Sequence, residues 1–583
     1  QLAGRLKDQD VEVASAAAVA LGHVGNDAAI KALRPALASS VGPVRSAVAE
    51  GSILCAERLS RDGKNKEAAE IYDEVRKADV PKPRVLEATR GAILARGSDG
   101  IPLLIEQLKS ADKAMFQIAL GAARDLPGRD VANALVAEIA QASPDRAPLL
   151  LYVLADRGDA AVLPAVLSSA QKGDKQVRIA ALGVVGRLGD MSSVSPLLKI
   201  AAEDDADVAQ SAKEAVAALS DKNVDADITA RLAKAEGKPL AVLIELVGQR
   251  RINDTGALVK ALDSSDASVR SAALTALGAT ISQKELAVLV SQVLTPKNAD
   301  DAPTAQRALR EACLRMPDRE GCAAVLAEAI TRAPVATKSN LIEILGAMGG
   351  PQALATIGAA MKSNDPQLQD AGSRVLGEWM NVDAGPVLLE LAKTAPEDKY
   401  KVRALRGYIR LARQFAMPDA QRAAMCQNAL SAAGRPDEQK LVLAVLERYP
   451  NEESFKVAAK ATQVPALSED AGRTTLVIAQ KIGGDGSRLK QLLAKTGLDP
   501  VKVSIVKAEY GAGSSQKDVT ASLQKCVDGL PLIALPSPGY NESFGGDPAP
   551  GTVKILKVQY QINGKQGDVS FPENALIMLP MPK

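Results

Sequence analysis

A short cassette that returns about every 33 residues is the feature that most restricts the fold of this chain. It begins with Val-Arg, continues with Ala and then Leu-Gly at helical spacing, and is followed by a break and a second apolar segment. Clear copies begin at Val177, Val269 and Val402. Equivalent helix starts recur from Val11 to Ala471, so the repeat accounts for most of the 583 residues.

Each copy of the cassette predicts two helices. Apolar residues recur at three- and four-residue spacing, as in Leu341, Ile344, Leu345 and Met348, which places them on one face of a helix. A single helix pair cannot bury its apolar face, whereas stacked pairs can. We therefore expect a mainly α fold, a solenoid of about 15 helix pairs over residues 1–498, rather than several globular domains.

Composition fits close-packed helices and excludes several kinds of chemistry. Aromatic residues make up only 2% of the chain, as expected where stacked helices lie close together. The formal net charge of +2 gives no reason to expect a nucleic-acid partner. With His23 as the single histidine, a multi-His metal site is excluded and a His-activated nucleophile is strongly disfavoured, while Ser/Lys, carboxylate-pair and Cys chemistry remain open. We expect no cofactor, no metal site and no enzymatic activity.

No apolar run reaches the roughly 18–20 residues that a membrane-spanning helix needs. The chain starts at Gln1 without a methionine, which predicts a processed or trimmed start. Residues 2–6 read as the second helix of a repeat whose first helix is missing, so we expect the native N-terminal cap to be absent from this chain.

A different pattern predicts a second domain at residues 501–583. Residues 501–510 alternate apolar and polar side chains like a half-buried strand, and residues 553–562 form another strand-like run. The turn Asn563-Gly564 predicts a hairpin. We expect a small antiparallel β-sandwich-like domain. Because aromatic residues are concentrated there, we expect a recognition surface, if the chain has one, to lie in this domain. The five aromatic residues are Tyr510, Tyr540, Phe544, Tyr560 and Phe571.

Two groups of residues are candidate sites. Cys313 and Cys322 flank the loop of an antiparallel helix pair, where a disulfide would staple the two helices; the alternative is two ordinary buried thiols. A loop rich in glycine and proline carries the second group, which predicts a sugar- or peptide-binding rim or, alternatively, only a structural loop. Its members are Tyr540, Asn541, Phe544 and Asp547.

Charged clusters in the repeats have a structural interpretation. Arg250 and Arg251 lie at a helix end, where a basic pair interacts with the helix dipole and nearby carboxylates. The acidic cluster at residues 203–207 lacks the glycine and terminal glutamate of a calcium-binding loop, so helix capping is favoured. Trp379 is expected in the core.

The repeats resemble HEAT repeats, whose known fold is a superhelical stack of antiparallel helix pairs used mainly as a protein-binding scaffold. Residues 400–411 and 435–446 resemble a subgroup of long bacterial HEAT-repeat proteins that are generally exported. That resemblance implies a periplasmic or extracellular location, an oxidising environment in which a Cys313–Cys322 disulfide would persist.

The C-terminal domain resembles the one found in the DnaJ homologue subfamily C member 11 group. The matching segments are residues 508–511, 517–520, 546–549 and 554–560. The resemblance implies a fold and no catalytic residues. The chain contains no His-Pro-Asp tripeptide, so chaperone stimulation is not implied.

Repeat architecture and resemblance together predict a non-catalytic interaction scaffold of the cell envelope or exterior. We expect the solenoid surface to bind a protein partner and the β domain to dock. The alternative is a structural subunit of a self-associating filament or surface layer. A carboxylate-based glycan-active enzyme is the least favoured class, and glycan binding by the C-terminal domain is a weaker prediction.

Overall fold

The computed structural model describes residues 1–203, 205–482, 491, 501–580 and 582. Its contacts divide the chain into two compact units, residues 1–281 and 282–583, which are treated separately below. The first unit is built from helices, and the second from helices followed by antiparallel sheets. The predicted fold class, a HEAT-like helical solenoid followed by a small antiparallel β region, is confirmed. The predicted boundary at residues 498–501 lies largely outside the described residues and stays a prediction.

In the first unit, longer and shorter helices alternate. Each even-numbered helix from α2 onward contacts the next even-numbered helix, and together they form what we call the first layer of this unit. The helices are α1 Leu2–Arg5, α2 Val11–Val24, α3 Asp27–Ser39, α4 Gly42–Arg61, α5 Asn65–Lys77, α6 Lys82–Ala95, α7 Ile101–Lys109, α8 Lys113–Asp125, α9 Arg129–Ile139, α10 Ala147–Arg157, α11 Leu163–Gln171, α12 Lys175–Leu188, α13 Met191–Ala201, α14 Ala206–Ala218, α15 Asn223–Leu232, α16 Gly237–Arg250, α17 Thr255–Ala261 and α18 Ala267–Thr280.

The helices of the second unit repeat this contact pattern, although their lengths do not alternate regularly. From α20 onward, each even-numbered helix again contacts the next. These helices are α19 Ala287–Leu294, α20 Ala302–Arg315, α21 Arg319–Arg332, α22 Val335–Met348, α23 Pro351–Met361, α24 Pro366–Gly377, α25 Gly385–Thr394, α26 Asp398–Gln414, α27 Asp419–Ala432, α28 Pro436–Arg448, α29 Glu452–Ala461 and α30 Ser468–Ile482. Trp379 is buried directly after α24, as predicted.

Aspartates begin many of the even-numbered helices. Asp174 accepts a hydrogen bond from the backbone N–H of Gln176 at 2.9 Å, and Asp266 accepts one from that of Ser268 at 2.8 Å. In the acidic cluster, Asp205 accepts from the N–H groups of Asp207 and Val208. These backbone bonds, with Lys175, lower the pKa of Asp205. The capping interpretation is confirmed for Asp205, since its carboxylate satisfies N–H groups that the helix itself leaves unpaired.

Arginines at helix ends connect successive repeats. Arg250 donates to the carbonyl oxygens of Val216, Ala217 and Leu219 at 3.0, 2.9 and 2.8 Å, at the end of the helix one repeat earlier. A guanidinium placed against these carbonyls satisfies acceptors that the helix leaves free and opposes the negative end of its dipole. The helix-end interpretation of Arg250 is confirmed. Three other arginines bind the preceding repeat in the same way: Arg58, Arg157 and Arg410.

Strands and two short helices make up the β region. They are β1 Val503–Ala512, β2 Ser515–Asp518, α31 Thr520–Gln524, β3 Leu532–Ile533, α32 Tyr540–Ser543, β4 Ile555–Ile562, β5 Lys565–Pro572 and β6 Ile577–Met578. One antiparallel sheet has the order β2-β1-β4-β5, and β3 pairs with β6 in a second, two-stranded sheet. The predicted hairpin is confirmed, since Asn563 and Gly564 join β4 to β5 with φ angles of 49° and 85°.

Candidate functional site

The aromatic residues of the β region form its core instead of a recognition surface. All five are at most 4% exposed. The rings of Tyr540 and Phe544 lie 5.5 and 5.4 Å from that of Tyr510, between the sheet and the loop that carries α32. The prediction that Tyr540 and Phe544 line an open rim is therefore wrong. A small sheet has one face to bury, and in this region the large side chains fill that space.

The polar members of that loop form a network around a buried lysine. Lys554, only 3% exposed, places its Nζ 3.2 Å from carboxylate oxygens of both Asp547 and Glu573. The Tyr510 hydroxyl lies 2.9 Å from Asn541 Oδ1 and 3.0 Å from Glu573. Burial and the Glu573 carboxylate raise the pKa of Tyr510 well above its usual range. These contacts fix the loop to the sheet, and recognition by Asn541 and Asp547 stays a prediction.

The two candidate disulfide cysteines lie in the core of the second unit. Cys313 on α20 and Cys322 on α21 are both fully buried and are free thiols in the structure. Burial, with a smaller contribution from Cys322, raises the pKa of Cys313 to about 12. The Cys322 Sγ lies 3.3 Å from the Met316 Sδ. The disulfide between them stays a prediction.

The exposed aromatic side chain of the described residues lies in the helical repeats and had not been singled out from the sequence. Tyr152 on α10 is 48% exposed, and Leu149, one turn earlier, is 40% exposed. At the equivalent positions of the neighbouring repeats, 31 residues before and after, stand Gly121 on α8 and Gly183 on α12. A Cβ at either glycine would meet nothing within 4 Å. No side chain at these two positions covers the flanks of the tyrosine.

Charged residues border this tyrosine one turn further along the same three helices. Asp156 on α10 forms ion pairs with Arg124 on α8, at 2.8 Å, and with Arg187 on α12, at 3.3 Å. Hydrogen bonds from Arg124 and Arg187 lower the pKa of Asp156. Two guanidinium groups share one carboxylate, so this row carries an excess positive charge. We call the patch formed by Gly121, Leu149, Tyr152, Gly183 and the three charged residues the Tyr152 surface.

A second feature of the first layer is a cleft of about 630 Å³ between α4 and α6, which we call the α4–α6 cleft. Ile53 and Leu54 contribute to the α4 wall, and Leu94 and Ala95 to the α6 wall. Tyr72 of α5 lies between these helices and is 5% exposed. Its ring packs so closely on α6 that a Cβ at Gly91 would lie 2.4 Å from the Tyr72 Cε1.

Carboxylates and arginines line the α4–α6 cleft. Arg84 bridges Glu50 of α4 and Glu87 of α6, the latter at 2.8 Å. Arg90 forms its ion pair, at 2.5 Å, with Asp125, which does not line the cleft. Burial first, and then the charge of Glu57, raise the pKa of Tyr72 to about 12. Glu57 and Arg61, one turn apart on α4, also line the cleft, and neither forms an ion pair within the described residues, so three glutamates and three arginines balance each other there.

The described residues show neither a candidate metal site nor a candidate membrane-spanning helix. No group of three or more His, Cys, Asp or Glu side chains is arranged to hold a metal ion there. In the same residues, none of the helices combines the length and the apolar character needed to span a membrane.

Comparisons with known proteins return solved structures of low similarity. No protein-family model matches the chain, and no curated protein sequence matches it. A structure of Kap95p with RanGDP has 13% identity and a TM-score of 0.39, covering 86% of this chain and 80% of that one. A structure of importin beta has 15% identity and a TM-score of 0.31, covering 85% and 78%. Human deoxyhypusine hydroxylase has 19% identity and a TM-score of 0.20, covering 48% and 96%. At these TM-scores the likenesses carry no information about function.

Proposed function

We propose that this chain is a non-catalytic interaction scaffold and that the Tyr152 surface binds a protein partner. The observation that carries the proposal is the exposure of Tyr152 between two glycines on a rigid layer of helices. About half of the surface of Tyr152 stays exposed in the free chain and is available for burial in a complex. A large amphipathic side chain on a rigid support is the kind of residue that dominates binding energy in protein interfaces.

The neighbours of Tyr152 define the chemistry of the partner. Leu149 extends the apolar area on one side of the ring, and the row Arg124–Asp156–Arg187 places excess positive charge on the other. The matching partner surface has an apolar pocket for the tyrosine and a carboxylate next to it. Complementary charge at the border of an apolar contact favours orientation and a faster association more than affinity itself.

Affinity capture from the native source tests this proposal. Wild-type chain and the variant Tyr152→Ala are used as baits, and bound proteins are quantified by mass spectrometry. We expect Tyr152→Ala to reduce a stoichiometric partner at least about tenfold, since truncating an interface hot spot costs about 2 kcal/mol or more. Circular dichroism should show an unchanged fold.

The matched control is Val259→Ala, which truncates another partly exposed apolar side chain, on α17 of the same unit. It should retain the partner at the wild-type level. Equal capture by wild type and Tyr152→Ala, or equal losses with both variants, would overturn the assignment of the Tyr152 surface.

We also propose, from the family resemblance, that the chain works outside the cytoplasm. The supporting observation is that Cys313 and Cys322 are both buried on consecutive helices, α20 and α21. Alkylation of the protein from its native source without reduction, followed by peptide mass spectrometry, measures the bonded fraction. A disulfide-linked peptide pair supports an oxidising location. Full alkylation of both thiols under denaturing conditions would count against it.

A further inference from the structure

We propose that the open edge of β5 pairs with the same edge of a second copy of this chain, so that the two four-stranded sheets join into one across a two-fold axis. The inference adds self-association to the proposed scaffold function and uses none of the residues of the Tyr152 surface. Three observations support it: the unpaired backbone of β5, its regular pairing with β4, and a side-chain pattern that matches itself in one register.

One side of β5 has no neighbouring strand. It is the last strand in the order β2-β1-β4-β5, and it pairs with β4 along all eight of its residues. Because a two-residue turn joins the two strands, Lys565 points its N–H and C=O at β4, as does every second residue after it. The backbone groups of Gln566, Asp568 and Ser570 therefore point to the open edge, where no backbone group of the described residues bonds to them.

β5 lacks most of the features by which exposed edge strands avoid pairing. Its register with β4 is uninterrupted, whereas a bulge between Ile505 and Lys507 interrupts that of β1. Its lysine, Lys565, and its proline, Pro572, stand at its two ends and leave the middle unobstructed. The opposite edge of the sheet, β2, has only four residues. Because an unprotected edge is a template for another strand, β5 is the edge at which we expect pairing.

The two-fold axis restricts the register. Residues that point their backbone outward must pair with residues that do the same, so the axis passes through a residue and not between two. Three residues near the middle of β5 could lie on it: Gly567, Asp568 and Val569. An axis at Asp568 places two carboxylates directly opposite each other, which destabilises a strand pair. An axis at Gly567 brings no side chains together there and sets Lys565 against Val569 of the second copy.

An axis at Val569 gives matching side chains on both faces. Val569, which packs half-buried at the margin of the core, then faces Val569 of the second copy. On the same face, Phe571 lies opposite Gly567 of the second copy, so a large residue meets a small one. On the outer face, Asp568 lies opposite Ser570 of the second copy, a hydroxyl that can donate to its carboxylate. The two symmetric Asp568–Ser570 pairs supply about four backbone hydrogen bonds.

A contact of this kind closes on itself. Both copies use the same edge, so the pair leaves no β5 edge free for a third copy. We therefore expect a dimer, whereas end-to-end stacking of the helical repeats would continue into longer assemblies. Since the contact is centred on one pair of strands, its area is small and association should depend on protein concentration.

Sedimentation velocity of the full chain, over about 1–200 µM, tests the inference. We expect the monomer to convert to a dimer, without larger species, as the concentration rises. Ser570→Pro removes an N–H from the open edge and keeps the hydrogen bonds to β4, because proline is tolerated on the free side of an edge strand. It should raise the dissociation constant at least about tenfold. Ser570→Ala keeps the N–H and should dimerise like the wild type.

A cysteine crosslink tests the register and does not depend on the proline variant. Val569→Cys places two thiols directly opposite each other across the axis, within the separation that a disulfide needs. Mild oxidation and peptide mass spectrometry should therefore identify a bond between position 569 of the two copies. Asp568→Cys is the matched control: its two thiols lie diagonally apart, beyond disulfide reach, and should crosslink at least about tenfold less.

Four outcomes would overturn the inference: a monomer at every concentration, assemblies larger than a dimer, equal association of Ser570→Pro and wild type, or equal crosslinking at the two cysteine positions. Tyr152→Ala should dimerise like the wild type, and loss of the dimer in that variant would also count against the β5 edge. Failure of the Tyr152 surface in affinity capture leaves all of these measurements unchanged, so the two proposals are tested separately.

Discussion

The two helix contacts that α4 makes within the first layer differ sharply. Against α2, the backbones almost touch: a Cβ at Gly51 would lie 2.3 Å from the carbonyl oxygen of Ala18. Against α6, the ring of Tyr72 separates the helices and leaves a cleft of about 630 Å³. One repeat scaffold therefore gives a closed or an open junction, depending on whether small residues or a single large residue occupy the contact.

Replacing Tyr72 by alanine removes the ring that lies between α4 and α6. Of the substitutions considered, it should lower the free energy of unfolding most. Truncation of a buried aromatic side chain costs about 3–5 kcal/mol of unfolding free energy, because transfer energy is lost and a cavity remains. Thermal unfolding, with hydrogen exchange of α4 and α6 as a local measurement, checks the loss. An unchanged midpoint would mean that Tyr72 does not hold the helices in place.

Gly91 provides a matched test of the same contact. Gly91→Ala should destabilise the wild type, since the new methyl group would collide with the Tyr72 ring. In the Tyr72→Ala background the methyl group has space, and the cost should vanish or change sign. Additive effects of the two substitutions would contradict the contact, because residues that touch are expected to couple.

The closed junction should be sensitive to a single methyl group. Gly51→Ala places a Cβ against the backbone of α2, which cannot move aside as a flexible side chain would. Overpacking of this kind costs about 1–3 kcal/mol. The expected result is a lower unfolding midpoint with faster hydrogen exchange in α2 and α4. Stability at or above the wild-type level would show that the two helices are not packed this closely.

High pH should weaken the open junction through Tyr72. Burial and Glu57 raise its pKa from 10.0 to about 12. Above pH 10 the unfolded chain loses this proton while the folded chain keeps it, so stability falls as the pH rises towards 12. Tyr72→Phe removes the titrating group and should make the decline between pH 10 and 12 shallower in unfolding experiments. Parallel curves for the two proteins would assign the alkaline loss to other residues.

The smallest expected effect is a gain in stability at the glycines beside Tyr152. Gly121→Ala and Gly183→Ala add a methyl group where nothing lies within 4 Å. Alanine favours a helix interior by about 1 kcal/mol over glycine, so each substitution should raise the unfolding midpoint slightly. The same chemical change that harms Gly51 should thus help Gly183. A loss of stability at Gly183 would indicate a neighbour that the structure does not place there.

Local sequence patterns predicted the parts of the fold that local forces determine. The apolar period predicted the helix pairs, Asp205 acts as a cap, and Asn563-Gly564 forms the expected hairpin turn. The sequence also showed that aromatic residues are concentrated in the β region. The prediction that Tyr540 and Phe544 form an exposed rim was wrong, because both are buried. Counting aromatic residues shows where they lie along the chain and does not show which face of a sheet they occupy.

The candidate surfaces differ in how far the sequence could reveal them. Tyr152 stands where both neighbouring repeats have glycine, so aligning the repeats would have singled it out. The α4–α6 cleft has no such signal. It depends on the position of the Tyr72 ring between two helices and on the ion pair that Arg90 forms with Asp125. Both are set by tertiary packing and leave no pattern in the sequence.

The arginine contacts between repeats have a consequence for how such a chain can change in length. Arg58, Arg157, Arg250 and Arg410 each reach a carbonyl 33 or 34 positions earlier. After duplication or deletion of one whole repeat, each arginine again finds a backbone carbonyl at the equivalent position. After insertion or deletion of half a repeat, that carbonyl is no longer in place. Growth by gene duplication and engineered shortening are therefore both restricted to whole multiples of the repeat.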